Sequence, residues 1–225
     1  MKIVLGLFLL SAALAHVREV EFQPHPGAIV APDLAFRESR LGDYFGRAPI
    51  VLVLGYTGCV NLCGTTVTGV SEALRESGLH PDRDYTALFV SIDPRDEKAT
   101  PEARAGWHFL TGAASAASVA KAVGFKYYYE KESGEFAHPA GFVVLTPQGT
   151  VSRYFPGVRF DPQELRRGID EAARGKTASA FQRLLFVCFH DPVSGKYTQP
   201  VLIAMRVAVA AFVAALALLA WRFLR

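Results

Sequence analysis

Five branched aliphatic residues in a row, Ile50-Val51-Leu52-Val53-Leu54, stand between Pro49 and Gly55. A strand with one wet face alternates apolar and polar residues, whereas an unbroken run this short fits a strand covered on both faces. Such strands belong to parallel sheets layered between helices. The run, taken as 49–56, therefore commits the chain to an α/β core.

The segments beyond this run keep to that plan. Residues 60–77 have helical character, with Val67, Val70, Ala73 and Leu74 on one face and Gly78 as the stop. A second buried strand over 86–92 ends at Asp93-Pro94. Thr100-Pro101-Glu102 reads as a helix start, with Thr as N-cap and Pro at the first helical position. A shorter helix is expected over 114–123, closed by Gly124, and a strand over 125–129. Residues 141–145 and 150–155 read as a hairpin around Pro147-Gln148-Gly149. Asp161-Pro162-Gln163-Glu164 opens a last helix running to Arg174, where Gly175 ends it. A parallel βαβ start leading to an antiparallel hairpin and a helix is the layout of a thioredoxin-like α/β domain.

That domain is assigned to residues 49–177, after an irregular, Pro- and Gly-rich lead-in over 16–48. Both flanks of the 225-residue chain are apolar. Lys2, the apolar stretch 3–14 and the small-x-small triplet Ala13-Leu14-Ala15 make 1–15 a secretory signal peptide. Residues 201–221 are long and apolar enough for a transmembrane helix, with Arg206 able to snorkel and Trp221 at the far boundary. Arg222 and Arg225 come next and place the C-terminus in the cytoplasm. The body of the protein is thus expected on the periplasmic or extracytoplasmic side of the cytoplasmic membrane, joined to its anchor by 178–200. A net charge of +3 and the lack of a Lys/Arg-rich stripe argue against nucleic-acid binding. The 51% apolar and 12% aromatic content argues against disorder.

Three cysteines are too few for a disulfide scaffold in an exported protein of this size, and the odd number leaves a thiol over. Two of them, Cys59 and Cys63, lie where the first strand gives way to a helix. Four residues apart on a helical turn, their sulfurs can converge on one atom. A helix N-terminus favours the thiolate, which is both metal ligand and nucleophile. Soft sulfur donors select Cu(I) or Zn. A disulfide, or two buried structural thiols, is the competing reading of the same spacing. His138 lies in the loop before the strand at 141, which a thioredoxin-like topology packs beside the cysteine turn.

Several pieces occur in the order found in a known family. They are Cys59-x-x-x-Cys63 after an apolar strand, Ser91-Ile92-Asp93-Pro94 after the second strand, and Trp107-x-Phe109-Leu110-Thr111-Gly112. Gly124-Phe125-x-Tyr127, Ala137-His138 and Arg153-Tyr154-x-x-Gly157 complete the series. Over roughly residues 50–198 the chain resembles the Sco/SenC family of copper-binding proteins. The resemblance implies a thioredoxin-like domain that binds copper through Cys59, Cys63 and His138, with Asp93 supporting the site rather than ligating. It also implies a cytochrome c oxidase subunit as copper acceptor, and a metallochaperone rather than an enzyme. Some relatives act in thiol redox control of the same centre, so a thiol-disulfide oxidoreductase working through Cys59 and Cys63 is the alternative. Val60 and Gly64 stand where many members carry Pro after each cysteine, and Asn61 where Asp is common.

The stretch Cys188-Phe189-His190-Asp191-Pro192 is similar to a motif in the subset of the family that ends in a membrane helix. Extended, Cys188 and His190 share a face, which makes them candidates for a second copper contact.

Overall fold

The computed structural model describes residues 20, 22–58, 63–98, 106–177, 206–212 and 221–222. The order of elements is β1 (Ile50–Gly55), α1 (Cys63–Glu76), β2 (Thr86–Ser91), β3 (Trp107–Leu110), α2 (Ala113–Ala122), β4 (Tyr128–Glu130), β5 (Glu135–Ala137), β6 (Gly141–Leu145), β7 (Val151–Pro156) and α3 (Pro162–Ala173). Five strands form one sheet in the order β3-β2-β1-β6-β7, and β4 pairs with β5 in a separate two-stranded ribbon.

The apolar run of β1 is the centre of this sheet, with all six residues buried. It runs parallel to β2, from Ile50 beside Thr86 to Gly55 beside Ser91, and antiparallel to β6, with Leu52 beside Val143. Alternate residues feed two separate cores, as the two-residue period of a strand requires. Ile50, Leu52 and Leu54 join Leu88, Val90, Val143 and Leu145 on one face, covered by Ala116, Val119 and Ala120 of α2. Val51 and Val53 join Ala87, Phe89, Phe142 and Val144 on the other. That face is covered by Val67, Val70, Ala73 and Leu74 of α1, the four residues predicted to share a face, and by Leu165, Ile169 and Ala172 of α3. The result is the three-layered thioredoxin-like arrangement. Asp161 caps α3 by accepting from the Glu164 N–H at 2.7 Å, with Pro162 at the first helical position.

Three details differ from the sequence expectation. The expected helix start at Thr100 lies outside the described residues, and Trp107–Leu110, to which the sequence reading assigned no strand, form the parallel edge strand β3. Residues 125–129 contribute only the start of a strand, since pairing begins at Tyr128 and Phe125 makes a lone bridge to Phe22. The segment before His138 is the strand β5.

Residues 206–212 and 221–222 are helical, and the rest of the expected span 201–221 lies outside the described residues, as does the expected signal peptide 1–15. Among the described residues no helix is long and apolar enough to cross a membrane.

Candidate metal centre

β1 ends in a turn that leads directly to the cysteines. Tyr56 is 2% exposed, while Thr57 and Gly58 are exposed, and the chain is described again as α1 from Cys63. Thr57 is fixed by Asp96, whose Oδ2 accepts the Thr57 N–H at 2.8 Å and whose Oδ1 accepts the Thr57 hydroxyl at 2.6 Å. Ser91, the last residue of β2, donates its hydroxyl to Asp96 Oδ2 at 2.6 Å. Asp96 is itself buried, so a carboxylate with three neutral donors sits beneath the entry to the cysteine turn.

Asp93, also buried at the end of the β2 segment, is engaged differently. Its Oδ2 receives Arg95 Nη2 at 2.6 Å and Nε at 2.7 Å, and its Oδ1 accepts the Arg95 backbone N–H at 2.8 Å. The hydrogen-bonded carboxylate holds the Arg95 guanidinium above its ordinary pKa. Arg95 then reaches outward, with Nη1 donating to the Gly134 carbonyl at 3.2 Å and the guanidinium 6.0 Å from the centre of the Tyr129 ring.

Gly134 belongs to the β4–β5 ribbon. With Glu130 paired to Glu135 and Tyr128 to Ala137, the ribbon ends on His138. The His138 ring stacks on Phe125 with centroids 5.7 Å apart and meets Tyr56 edge-on at 5.9 Å. Phe136 packs against Tyr56 and Tyr127. His138 Nδ1 lies 3.0 Å from the Pro139 carbonyl oxygen. A carbonyl only accepts, so in the neutral ring this contact suits a proton on Nδ1, which leaves Nε2 as the nitrogen that could ligate a metal.

The structure therefore brings His138 against Tyr56, just past the end of β1 and three residues before Cys59. Cys59 lies outside the described residues, and only the backbone of Cys63 is described, as the first residue of α1. Cys188 and His190 also lie outside. Among the described residues no group of three His, Cys, Asp or Glu side chains could hold a metal ion. The Asp93 carboxylate is engaged by Arg95. Sequence reasoning missed Arg95 and Asp96, because nothing in a single sequence separates Asp96 from the other acids of the chain. Its burial does.

The fold is shared with solved structures at low identity. A candidate electron transfer protein from Aquifex aeolicus VF5 is 22% identical, with a TM-score of 0.57 over 68% of this chain and 96% of that one. Copper-bound ScoI of Arabidopsis thaliana is 18% identical, with a TM-score of 0.52 over 68% and 98%. BsSco, a Sco-family cytochrome c oxidase assembly protein in which a disulfide switch was identified, is 19% identical, with a TM-score of 0.50 over 68% and 98%. No curated protein matches the chain. The SCO1/SenC family profile matches residues 40–174, which takes in β1 to α3, the cysteine turn and His138. More than half of the sequence lies within that match, and the chain belongs to the SCO1/SenC family.

Proposed function

We propose that this chain is an extracytoplasmic copper chaperone, in which the thiolates of Cys59 and Cys63 and Nε2 of His138 hold a copper ion for transfer to a copper centre of cytochrome c oxidase. The observation that carries the reading is the place of His138. Its Nδ1 faces a backbone carbonyl at 3.0 Å, and its ring lies against Tyr56 at the mouth of the cysteine turn. Two thiolates and an imidazole are a soft set suited to Cu(I). Three ligands leave room for an acceptor's donor to enter, so the ion is cargo that moves by stepwise ligand exchange. The family membership and the copper found in the Arabidopsis relative support the choice of metal.

The disulfide switch of BsSco favours a second reading, in which Cys59 and Cys63 cycle between dithiol and disulfide to reduce cysteines of a copper-site partner. That chemistry has no need of His138. In either reading residues 201–221 anchor the domain to the cytoplasmic membrane, and Cys188 and His190 stand close to that anchor in sequence as a second copper contact.

The deciding experiment is Cu(I) titration of the reduced, detergent-solubilised full-length chain, with X-ray absorption on the loaded protein. The expected result is one equivalent bound by two sulfurs and one nitrogen. His138→Ala should lose the nitrogen and weaken binding by roughly 10–100-fold or more, a range already reached when only a ligand's outer partner is removed. Cys188→Ala should keep the three-donor shell. A reduced protein that takes up no copper sinks the chaperone reading, and disulfide exchange that survives His138→Ala would favour the second.

A further inference from the structure

The two arms of the proposed site come from distant parts of the chain, yet one short segment touches both. Pro94–Lys98 forms a 3-10 turn after β2. From it, Asp96 points inward and grips Thr57 through both backbone and hydroxyl, two residues before Cys59. The neighbouring Arg95 points outward and grips the Gly134 carbonyl in the ribbon that ends on His138. Each grip is itself anchored to the end of β2, Asp96 through the Ser91 hydroxyl and Arg95 through the buried Asp93. The ribbon lies outside the main sheet, so no ladder of that sheet fixes its position.

We infer that the Pro94–Lys98 turn is a brace that sets the distance between the cysteine turn and His138, with Asp96 and Arg95 as its two positioning residues. The inference rests on the copper reading for its consequence, though the brace itself can be tested without metal. Neither residue touches the ion. Asp96 holds the cysteine arm by presenting oxygens where Thr57 and Ser91 present donors. Asn at that position would turn one of these acceptors into an amino group facing donors. Arg95 holds the histidine arm through one Nη1–H donor, aimed by the fork that its Nη2 and Nε make on Asp93, and Ala can supply neither. The brace also gives the Asp93-Pro94-Arg95-Asp96 run one physical purpose: Asp93 orients Arg95, and Asp96 orients Thr57.

The test uses the full-length chain with Arg95→Ala, Asp96→Asn and, as a fold-neutral check on the second arm, Thr57→Ala at an exposed position. Asp161→Ala serves as a control that removes a helix cap outside the brace. In the metal-free reduced protein, Arg95→Ala should shift and broaden the His138 ring resonances, and Asp96→Asn should speed amide exchange at Thr57 by about ten-fold or more. Loaded with Cu(I), Arg95→Ala should lose nitrogen from the X-ray absorption shell while keeping both sulfurs. All three brace variants should bind Cu(I) about 10–100-fold more weakly than wild type, the usual effect of removing an outer-shell partner. Asp161→Ala should lower stability and leave copper affinity unchanged. Wild-type affinity, shell and resonances in Arg95→Ala and in Asp96→Asn or Thr57→Ala would overturn the brace. So would an equal loss of affinity in Asp161→Ala. If wild type itself binds no copper, the chaperone reading fails, and the metal-free resonances and exchange rates still decide the brace.

Discussion

Tyr154 shows how much one side chain can tie together and how little of that a sequence displays. Its hydroxyl donates to the Val123 carbonyl at 2.9 Å and accepts the His25 N–H at 2.9 Å, while its ring meets Phe22 edge-on. Those partners lie 31 and 129 residues away, so the Arg153-Tyr154-x-x-Gly157 pattern is legible as a motif but its purpose is not. Burial pushes the phenol up to about 12, the largest cause, against a smaller opposing effect of the His25 hydrogen bond. The folded state thus favours the neutral form, whereas an unfolded tyrosine ionises near pH 10. The stability from this group is whole below pH 10 and drains away as pH rises toward 12. Tyr85 and Tyr127 are raised by burial as well, so the wild-type fall is shared among them. Tyr154→Phe isolates its part. At pH 7 the variant should be less stable by about 1–3 kcal/mol, because a buried carbonyl and an N–H lose their partner. Between pH 10 and 12 the gap in urea unfolding should narrow, and a gap that stays constant across that range would refute the assignment.

At the scale of elements, legibility tracks burial and length. β1, β2 and β6 are plain because unbroken aliphatic runs leave few alternatives, and α3 is plain because Asp161, Pro162 and Glu164 spell its start. β3 is hidden because Trp107, His108 and Phe109 are only half-buried on an edge, so the run has neither a full core pattern nor a clean alternation. The three-residue strands of the ribbon are too short for any periodicity to register. Gly124, by contrast, reads in the sequence as a helix stop and does more. It takes φ 62°, and a Cβ there would lie 1.7 Å from the Gln23 carbonyl oxygen, with Gln23 N–H bonded to the Gly124 oxygen at 2.7 Å. Its next neighbour, Phe125, is the face on which His138 stacks. Gly124→Ala combines left-handed backbone strain with a backbone clash, and should cost at least about 2–3 kcal/mol in denaturant unfolding. A loss below about 1 kcal/mol, the ordinary cost of a single such conformation, would mean the lead-in moves aside easily.

For the molecule as a whole, the two faces of the sheet are covered by unlike means. One is roofed by two helices, α1 and α3, which a sequence announces through their apolar stripes. The other, among the described residues, has α2 as its one α-helix and is completed by the lead-in, where Phe22, Val30, Phe36 and Leu41 are all buried in the same core as β1. The lead-in is mostly irregular in backbone, as its Pro and Gly content suggests, with one 3-10 turn over Leu41–Tyr44, yet its side chains are structural. A single sequence does not disclose this, because isolated apolar residues at 22, 30, 36 and 41 fit no period, and three of the four precede the family match at residue 40. The family profile therefore understates the folding unit. Burying four such side chains contributes roughly 6–12 kcal/mol at about 1.5–3 kcal/mol each, against a typical net stability of about 5–15 kcal/mol. A chain beginning at residue 48 keeps every strand and helix of the sheet layers and the proposed copper ligands, but leaves one face of β1 and β6 partly bare. Such a chain should fail to fold cooperatively, whereas one beginning at residue 16 should unfold in a single sharp transition. Urea unfolding monitored by far-UV circular dichroism, with limited proteolysis of both chains, makes the comparison, and a protease-resistant, cooperative domain starting at residue 48 would show that α2 alone is roof enough.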